Sequence, residues 1–297
     1  MRKSLLDLIE KTIIYKYDLP NNGVDRTILS TINDKCYTVQ DKKDLSEIIY
    51  NGIIEYSFNE FDITGKDYDN LHAIALKTKI KYNPEIDEDV KLKYGFYGEV
   101  LLYSILAITY KTTPLIARGY FYNPLEKSET KGYDSYHLVD NNGITELWFG
   151  EVKFHISHSG AIDSVMLNID KALSDSYLAD NVIAFQNHKN NFNIKGSKIE
   201  TVLASWESNP NINIANEIKA HNMRLVYPIL IIYEEDSTGY DASIKMATDH
   251  IIKKYSTKTF SLSVDHAVFF IMIPLKQVKE VKKDVITWIE SRKQLMS

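Results

Sequence analysis

Apolar residues follow two alternating spacings along the chain, one typical of helices and one typical of strands. Helices are predicted near residues 41–57, 83–110, 160–178, 198–206, 213–221, 241–255 and 276–292. Strands are predicted at residues 115–121, 132–155 (a hairpin), 182–185, 225–233 and 264–273. Because helices and strands interleave throughout, the pattern favours an α/β fold in which helices cover a sheet.

The same pattern divides the chain into two parts. Residues 1–82 are less regular and are predicted to be an N-terminal elaboration, and residues 83–297 are predicted to form the main domain. A long helix is expected to begin at Asn83, because Asn is a good N-cap and Pro84 suits the first turn. The acidic residues up to Asp89 also favour the positive end of the helix dipole.

The segment with the most informative pattern is KGYDSYHLVDNNGITELWFGEVKFH, residues 131–155. Asn142 and Gly143 predict a two-residue hairpin turn, because both residue types tolerate positive φ. That turn fixes the register of the two strands and places Asp134 directly opposite Glu151. Side chains at such positions have Cβ atoms about 4.5–5.5 Å apart.

Two carboxylates at this distance repel each other unless a cation lies between them, and hard divalent cations prefer oxygen ligands. Lys153 follows Glu151 by two residues and therefore projects from the same face of the strand. The strand is apolar on both faces, which predicts burial in a sheet, where Glu and Lys are costly unless paired or ligated. The alternative is a buried Glu–Lys ion pair near a sheet edge.

A third carboxylate, Glu99, falls on an apolar helical stripe. The stripe consists of Leu92, Phe96, Glu99, Tyr103 and Leu106. A charge at such a position indicates a specific role, and the neighbouring Gly95 and Gly98 would permit close approach of the helix to a sheet. The alternative is that Glu99 lies at the border of the stripe and reaches water.

Composition excludes several classes of protein. The chain has 297 residues, of which 44% are hydrophobic and 25% charged, as in ordinary globular proteins. The only cysteine, Cys36, excludes a disulfide framework and a cysteine zinc site, is expected to be buried, and fits a cytoplasmic protein. Charged residues interrupt the N-terminal apolar residues, so no signal peptide is expected. The longest apolar run, at 267–275, is too short to span a membrane and predicts a buried strand.

The net charge of −5 is unusual for a protein that binds nucleic acid. Lysines nevertheless cluster at residues 77–82, 91–93 and 187–198, and each cluster is either a solvated face or a nucleic-acid contact. His155 has the same strand parity as Lys153 and would border the same site if the strand continues. Gln186 is expected either to cap a loop or to contact DNA or a metal-bound water. No glycine-rich phosphate loop is present, so ATP use by this chain is not expected.

The order of these residues along the chain resembles that in the PD-(D/E)XK nuclease superfamily: Glu99 on a helix, then Asp134, then Glu151-Val152-Lys153. Its core is a helix followed by a mixed sheet, with the metal site on a central hairpin. More narrowly, YGFYGEVLLYSIL, KGYDSYHLV and LWFGEVKFH resemble the HamA family, effector subunits of bacterial Hachiman anti-phage systems. The likeness is strongest over about 94–155. Tyr133 stands where members of the superfamily often have Pro, and the residue at this position varies among them.

The resemblance implies a PD-(D/E)XK nuclease-like core with a mixed β-sheet flanked by helices. It also implies that Asp134 and Glu151 ligate Mg²⁺ (or Mn²⁺) together with the Val152 carbonyl, and that Glu99 is an outer or second-metal ligand. Lys153 would position the attacking water. The substrate would be DNA, and a HamB-type helicase partner would hold the nuclease inactive. Two rival functions are a stand-alone restriction-type endonuclease and a catalytically silent regulatory subunit of nuclease fold.

Overall fold

A seven-stranded mixed sheet forms the centre of this computed structural model, which describes residues 1–20, 33–123, 128–129, 132–186 and 196–296. The α-helices are α1 (Lys3–Thr12), α2 (Lys42–Ser57), α3 (Glu60–Ile63), α4 (Tyr68–Ala75), α5 (Glu88–Lys91), α6 (Phe96–Thr109), α7 (His158–Ala172), α8 (Asp175–Ala184), α9 (Lys198–Ser208), α10 (Ile214–Ala220), α11 (Tyr240–Tyr255) and α12 (Val278–Ser291). The strands are β1 (Ile13–Asp18), β2 (Lys35–Val39), β3 (Thr113–Pro114), β4 (Tyr122–Asn123), β5 (Ser128–Glu129), β6 (Ser135–Asn141), β7 (Ile144–Phe154), β8 (Met223–Glu234) and β9 (His266–Leu275). A π-helix (Leu76–Ile80) and a 3-10 helix (Arg118–Phe121) are also present.

Parallel strands form the middle of the sheet, in the spatial order β2, β9, β8 and β7. Antiparallel partners extend the sheet at both ends: β1 pairs with β2, and β6 pairs with β7 on one side and β3 on the other. Strands β4 and β5 form a separate pair. Helices pack on both faces of the large sheet, which confirms the predicted α/β fold with a mixed sheet flanked by helices.

Both faces of the sheet are buried, because alternate residues of β7 point into two separate hydrophobic cores. Leu147 and Phe149 belong to a core that they share with α7 to α11. Trp148 and Val152 belong to a second core, shared with α1, α2, α6 and α12. The apolar pattern of β7 predicted this two-sided burial, and the run at 267–275 is buried in the same way within β9.

The helix predicted at residues 83–110 is wrong in its first half. In the structure, α5 and α6 are separate helices with a short non-helical segment between them. The Asn83 side chain accepts a hydrogen bond from the Glu85 N–H at 3.0 Å, so it stabilises a local turn instead of capping a long helix. The Tyr97 hydroxyl donates to the Lys91 carbonyl at 3.1 Å, which satisfies the end of α5 by a tertiary contact.

Two predicted strands are also wrong. At 115–121, strand pairing stops after β3, and the chain continues as a loop and a 3-10 helix in which Leu115, Ile116, Ala117 and Phe121 are buried. Residues 182–185 fall mostly within α8 and not in a strand. The helix predicted at 160–178 ends early because the Ser174 side chain caps α8, accepting a hydrogen bond from the Tyr177 N–H at 3.3 Å. The other predicted helices and strands are present.

Residues 1–82 contribute to the same sheet as the rest of the chain. Strands β1 and β2 lie at one edge, and β2 pairs with β9. Helices α1 and α2 pack into the second core, and Asp41 caps α2 as an N-cap residue. The division of the chain at residue 82 stays a prediction. In the part of the chain that the structure describes, no helix combines the length and apolar character needed to cross a membrane.

Candidate active site

The hairpin of β6 and β7 has the register that the sequence predicts. Asn142 and Gly143 form the turn, with φ values of 49° and 84°. The strands then pair without interruption up to Ser135 opposite Gly150. Asp134 directly precedes β6, and its N–H donates to the Gly150 carbonyl at 2.8 Å. Asp134 therefore stays beside β7 where that strand continues beyond the paired region.

The Asp134 carboxylate is fixed by the backbone of β7. Its Oδ2 accepts a hydrogen bond from the Val152 N–H at 2.8 Å. The backbone of Glu151, one residue earlier, is aligned with Ile229 of β8 on the other side. This hydrogen bond could not be predicted from the turn alone. It fixes Asp134 against the peptide group that joins Glu151 to Val152.

Glu151 and Lys153 form an ion pair on one face of β7. The Lys153 ammonium donates to Glu151 Oε1, and the two side chains are 26% and 17% exposed respectively. The pair that the alternative interpretation predicted is therefore present. Asp134 lies beside it, however, so two carboxylates share the charge of this lysine.

The charges of the three groups influence one another strongly. Burial, and after it the negative charge of Asp134, raise the pKa of Glu151 to about 7, although Lys153 and Arg118 act to lower it. Burial by itself lowers the pKa of Lys153, but the charges of Glu151, Asp134 and Glu99 outweigh it and hold the pKa above its ordinary value. Excess negative charge therefore surrounds a lysine that stays protonated.

Glu99 lies on α6 next to this group and is only 7% exposed, so it does not reach bulk water as the alternative interpretation supposed. The Tyr56 hydroxyl donates a hydrogen bond to Glu99 Oε2. Gly98 permits α6 to approach β7, because a Cβ atom at this position would lie 2.9 Å from Val152 Cγ2. A Cβ atom at Gly95 would meet the Glu99 carboxylate itself, at 2.8 Å from Oε1.

A cleft of about 660 Å³ opens between α6, the end of β7 and the start of α12. Four of the predicted site residues, Glu99, Asp134, Val152 and Lys153, line it, and so does His155. Glu151 is not among the lining residues; its side chain is paired with Lys153 beside the cleft. Gln186 lies elsewhere, with its amide donating to Glu207.

The donor atoms of Asp134 and Glu151 suit a hard divalent cation. Both offer carboxylate oxygens, the ligands that Mg²⁺ and Mn²⁺ prefer, and a cation between them would offset the repulsion by which Asp134 raises the pKa of Glu151. Within the described ranges, no three His, Cys, Asp or Glu side chains gather closely enough to hold a metal ion. The structure therefore brings Asp134 and Glu151 together but does not add Glu99 to them as a third ligand.

The lysine clusters have different surroundings. Lys91 is buried and donates to Glu290 Oε1 at 2.7 Å and to the Pro84 carbonyl at 2.6 Å, so it does not face a ligand. Lys93 is exposed and lines the cleft. Residues 187–195, most of the third cluster, lie outside the described residues.

Two basic residues of the site were not predicted, Arg118 and Lys282. Arg118 is buried, and its charge lowers the pKa of Glu151. It interrupts the apolar segment LIARGYF, and a charge in such a run indicates a specific partner. Lys282 lines the cleft from α12, where it occupies the buried stripe of that helix next to Val281 and Val285.

Comparison with known proteins identifies one family. The family model for HamA matches residues 5–289. No curated protein and no solved structure matches the chain. Because the match covers almost the entire sequence, this protein belongs to the HamA family, which fits a role in anti-phage defence.

Proposed function

We propose that this protein is a metal-dependent deoxyribonuclease that acts as an effector of anti-phage defence. The observation that carries the proposal is the position of Asp134 beside Glu151 and Lys153, where β6 and β7 meet the cleft. A buried ion pair explains Glu151 and Lys153, but it does not explain why a second carboxylate is held beside them by the Val152 N–H. A cation shared by both carboxylates accounts for all three residues.

Asp134, Glu151 and the Val152 carbonyl would hold Mg²⁺ or Mn²⁺. When bound, the metal would supply Lewis acidity for phosphodiester hydrolysis. Lys153 stays protonated in this environment, so its ammonium can donate to the attacking water or to a phosphate oxygen and stabilise the negative charge that develops there. Glu99 contributes a negative charge that raises the pKa of Lys153.

Cleavage of DNA by the purified chain tests the proposal. We expect cutting with Mg²⁺ or Mn²⁺ and none with EDTA, and we expect Glu151→Gln to abolish it. A matched control is Glu146→Gln, also on β7, where the carboxylate is buried and bonded to Arg224 and Trp148. A Glu151→Gln protein that is folded and cuts DNA as fast as the wild type would refute the assignment of the site.

Family membership and charge together support a restrained nuclease. A chain of net charge −5 is repelled overall by the phosphates of DNA at long range, so a partner that holds the DNA would compensate. We infer that a HamB-type helicase is this partner and keeps the nuclease silent until it engages DNA and hydrolyses ATP. Co-expression with affinity pull-down, followed by cleavage assays with and without ATP, tests the inference. It fails if the two proteins do not associate, or if their complex cuts DNA without ATP.

A further inference from the structure

Lys282 is a buried lysine in the wall of the cleft. It is 9% exposed, and its ammonium donates to the Phe154 carbonyl at 2.9 Å and to the Leu92 carbonyl at 3.1 Å. The same nitrogen lies 4.7 Å from the centre of the Phe154 ring and 5.5 Å from that of Tyr97. Because Phe154 follows Lys153 directly, Lys282 lies close to the strand end that carries the candidate active site.

The charge of Lys282 has no carboxylate partner among the residues that the structure describes. Burial lowers its pKa to about 8, with no nearby charge acting against that effect. Two carbonyl groups and two aromatic rings compensate part of the desolvation, but they use only two of the three ammonium N–H groups. A buried cation with no counterion is costly, and an anion in the cleft would remove that cost.

Other features make the part of the cleft around Lys282, at the start of α12, basic. Lys279 lies one turn earlier on α12, and Lys93 lines the cleft from the segment between α5 and α6. Val278 begins α12 at the cleft, so the positive end of the helix dipole also lies there. Asp89 also lines this part and lies 3.8 Å from Lys279, between exposed side chains, and the neighbouring Glu88 is paired with Lys283 at 2.7 Å.

The residues that line the cleft thus include two carboxylates, Glu99 and Asp134, and a group of basic residues that contains the buried Lys282. We propose that Lys282 binds a phosphate group of the DNA strand next to the phosphate that is cleaved. The inference rests on the proposed nuclease function and adds to it the site that positions the strand. Its geometric basis is the hydrogen bond from Lys282 to Phe154, which fixes the ammonium beside the chain segment of Lys153.

DNA binding measured without cleavage tests this inference. Fluorescence anisotropy with a short labelled DNA duplex is recorded in EDTA, at several salt concentrations, for the wild type, Lys282→Met and Lys283→Met. Lys283 is the matched control, since it neighbours Lys282 but is exposed and paired with Glu88 at 2.7 Å. We expect Lys282→Met to weaken binding about tenfold and to reduce the salt slope by about 0.9, the value for one lost phosphate contact. Lys283→Met should match the wild type.

A structural role for Lys282 makes a different prediction. If Lys282 only ties α12 to β7, a folded Lys282→Met variant binds DNA with wild-type affinity and salt slope, which overturns the inference. If that variant does not fold, the polar variant Lys282→Gln is measured in the same way, with Lys283→Gln as its control. Wild-type affinity and salt slope in folded Lys282→Gln overturn the inference. A wild type that binds no duplex overturns this inference, whereas the nuclease proposal fails only if the wild type also cuts no DNA with Mg²⁺ or Mn²⁺.

Discussion

A methyl group added at Gly98 tests how closely α6 must pack against β7. The new Cβ atom of Gly98→Ala would lie 2.9 Å from Val152 Cγ2, 3.3 Å from Val152 Cγ1 and 3.4 Å from Phe154 Cβ. The first of these distances is well inside normal carbon–carbon contact, so the helix or the strand must move. Val152 is stiff at its branched Cβ and is fully packed, which leaves little room for adjustment.

The expected cost follows from two opposing effects. Overpacking of this kind costs about 1–3 kcal/mol, and the higher helix propensity of Ala returns up to about 1 kcal/mol. Gly98 lies in the first turn of α6, where that gain is smaller, so we expect a net loss of about 1–2 kcal/mol in the free energy of unfolding. The displacement also separates Glu99 from Lys153, so DNA cleavage should fall further than stability alone explains.

Urea denaturation and cleavage assays on a set of variants test this reasoning. Removing the opposing methyl groups in Gly98→Ala/Val152→Ala should relieve the clash, so the double variant should be more stable than the sum of the two single effects predicts. Gly52→Ala is a comparison for stability alone, since its Cβ would lie 2.8 Å from Val100 Cγ1, between α2 and α6. It should lose stability through overpacking of the same helix. Additive effects of Gly98→Ala and Val152→Ala, or a Gly98→Ala protein as stable as the wild type, would refute the close-packing argument.

Three further predictions concern a buried histidine, the tyrosine beside Glu99 and the hairpin turn. Burial lowers the pKa of His72 from 6.5 to about 4, so the folded state favours the neutral imidazole. The free energy of unfolding is therefore at its full value above pH 6.5 and decreases as the pH falls toward 4, because the unfolded chain binds a proton that the folded chain does not. In His72→Phe, the free energy of unfolding should change less between pH 6.5 and 4, by up to about 3 kcal/mol. The same pH profile in the variant and the wild type would contradict a lowered pKa of His72. Tyr56→Phe removes the hydroxyl bonded to Glu99 and should reduce cleavage while leaving DNA binding in EDTA unchanged; equal cleavage would exclude a role for this contact. Gly143→Ala places a Cβ at φ 84° and should cost about 1–2 kcal/mol in chemical denaturation, whereas a neutral effect would argue against a strained turn.

The parts of the fold that the sequence predicts are those set by local chemistry. The register of β6 and β7 depends on Asn142-Gly143 and on strands that adjoin the turn, so a short segment contains all the necessary information. The buried strand at 267–275 follows equally from its composition. The apolar spacing placed Glu99 on a helical stripe but left open whether its carboxylate reaches water, and the structure shows that it is buried.

The parts that the sequence could not predict depend on contacts between distant segments. The helix expected at 83–110 breaks where the carbonyl groups that end α5 are bound by Tyr97 and, from α12, by Lys282. Strand β2 joins the sheet through Lys35 opposite Ile271, a pairing that no local pattern reveals. The same limit applies to the site, where Lys282 approaches β7 only because α12 packs there.

The claim that Asp134 and Glu151 share one cation on which cleavage depends is tested most directly by titration with Mn²⁺. Free Mn²⁺ is measured by electron paramagnetic resonance while DNA cleavage is followed in the same samples. The wild type and Glu146→Gln should bind Mn²⁺ and cut DNA in proportion to the bound ion. Asp134→Asn and Glu151→Gln, if folded, should bind it much more weakly and not cut. Wild-type Mn²⁺ affinity and cleavage in either of these two variants would contradict the shared-cation site.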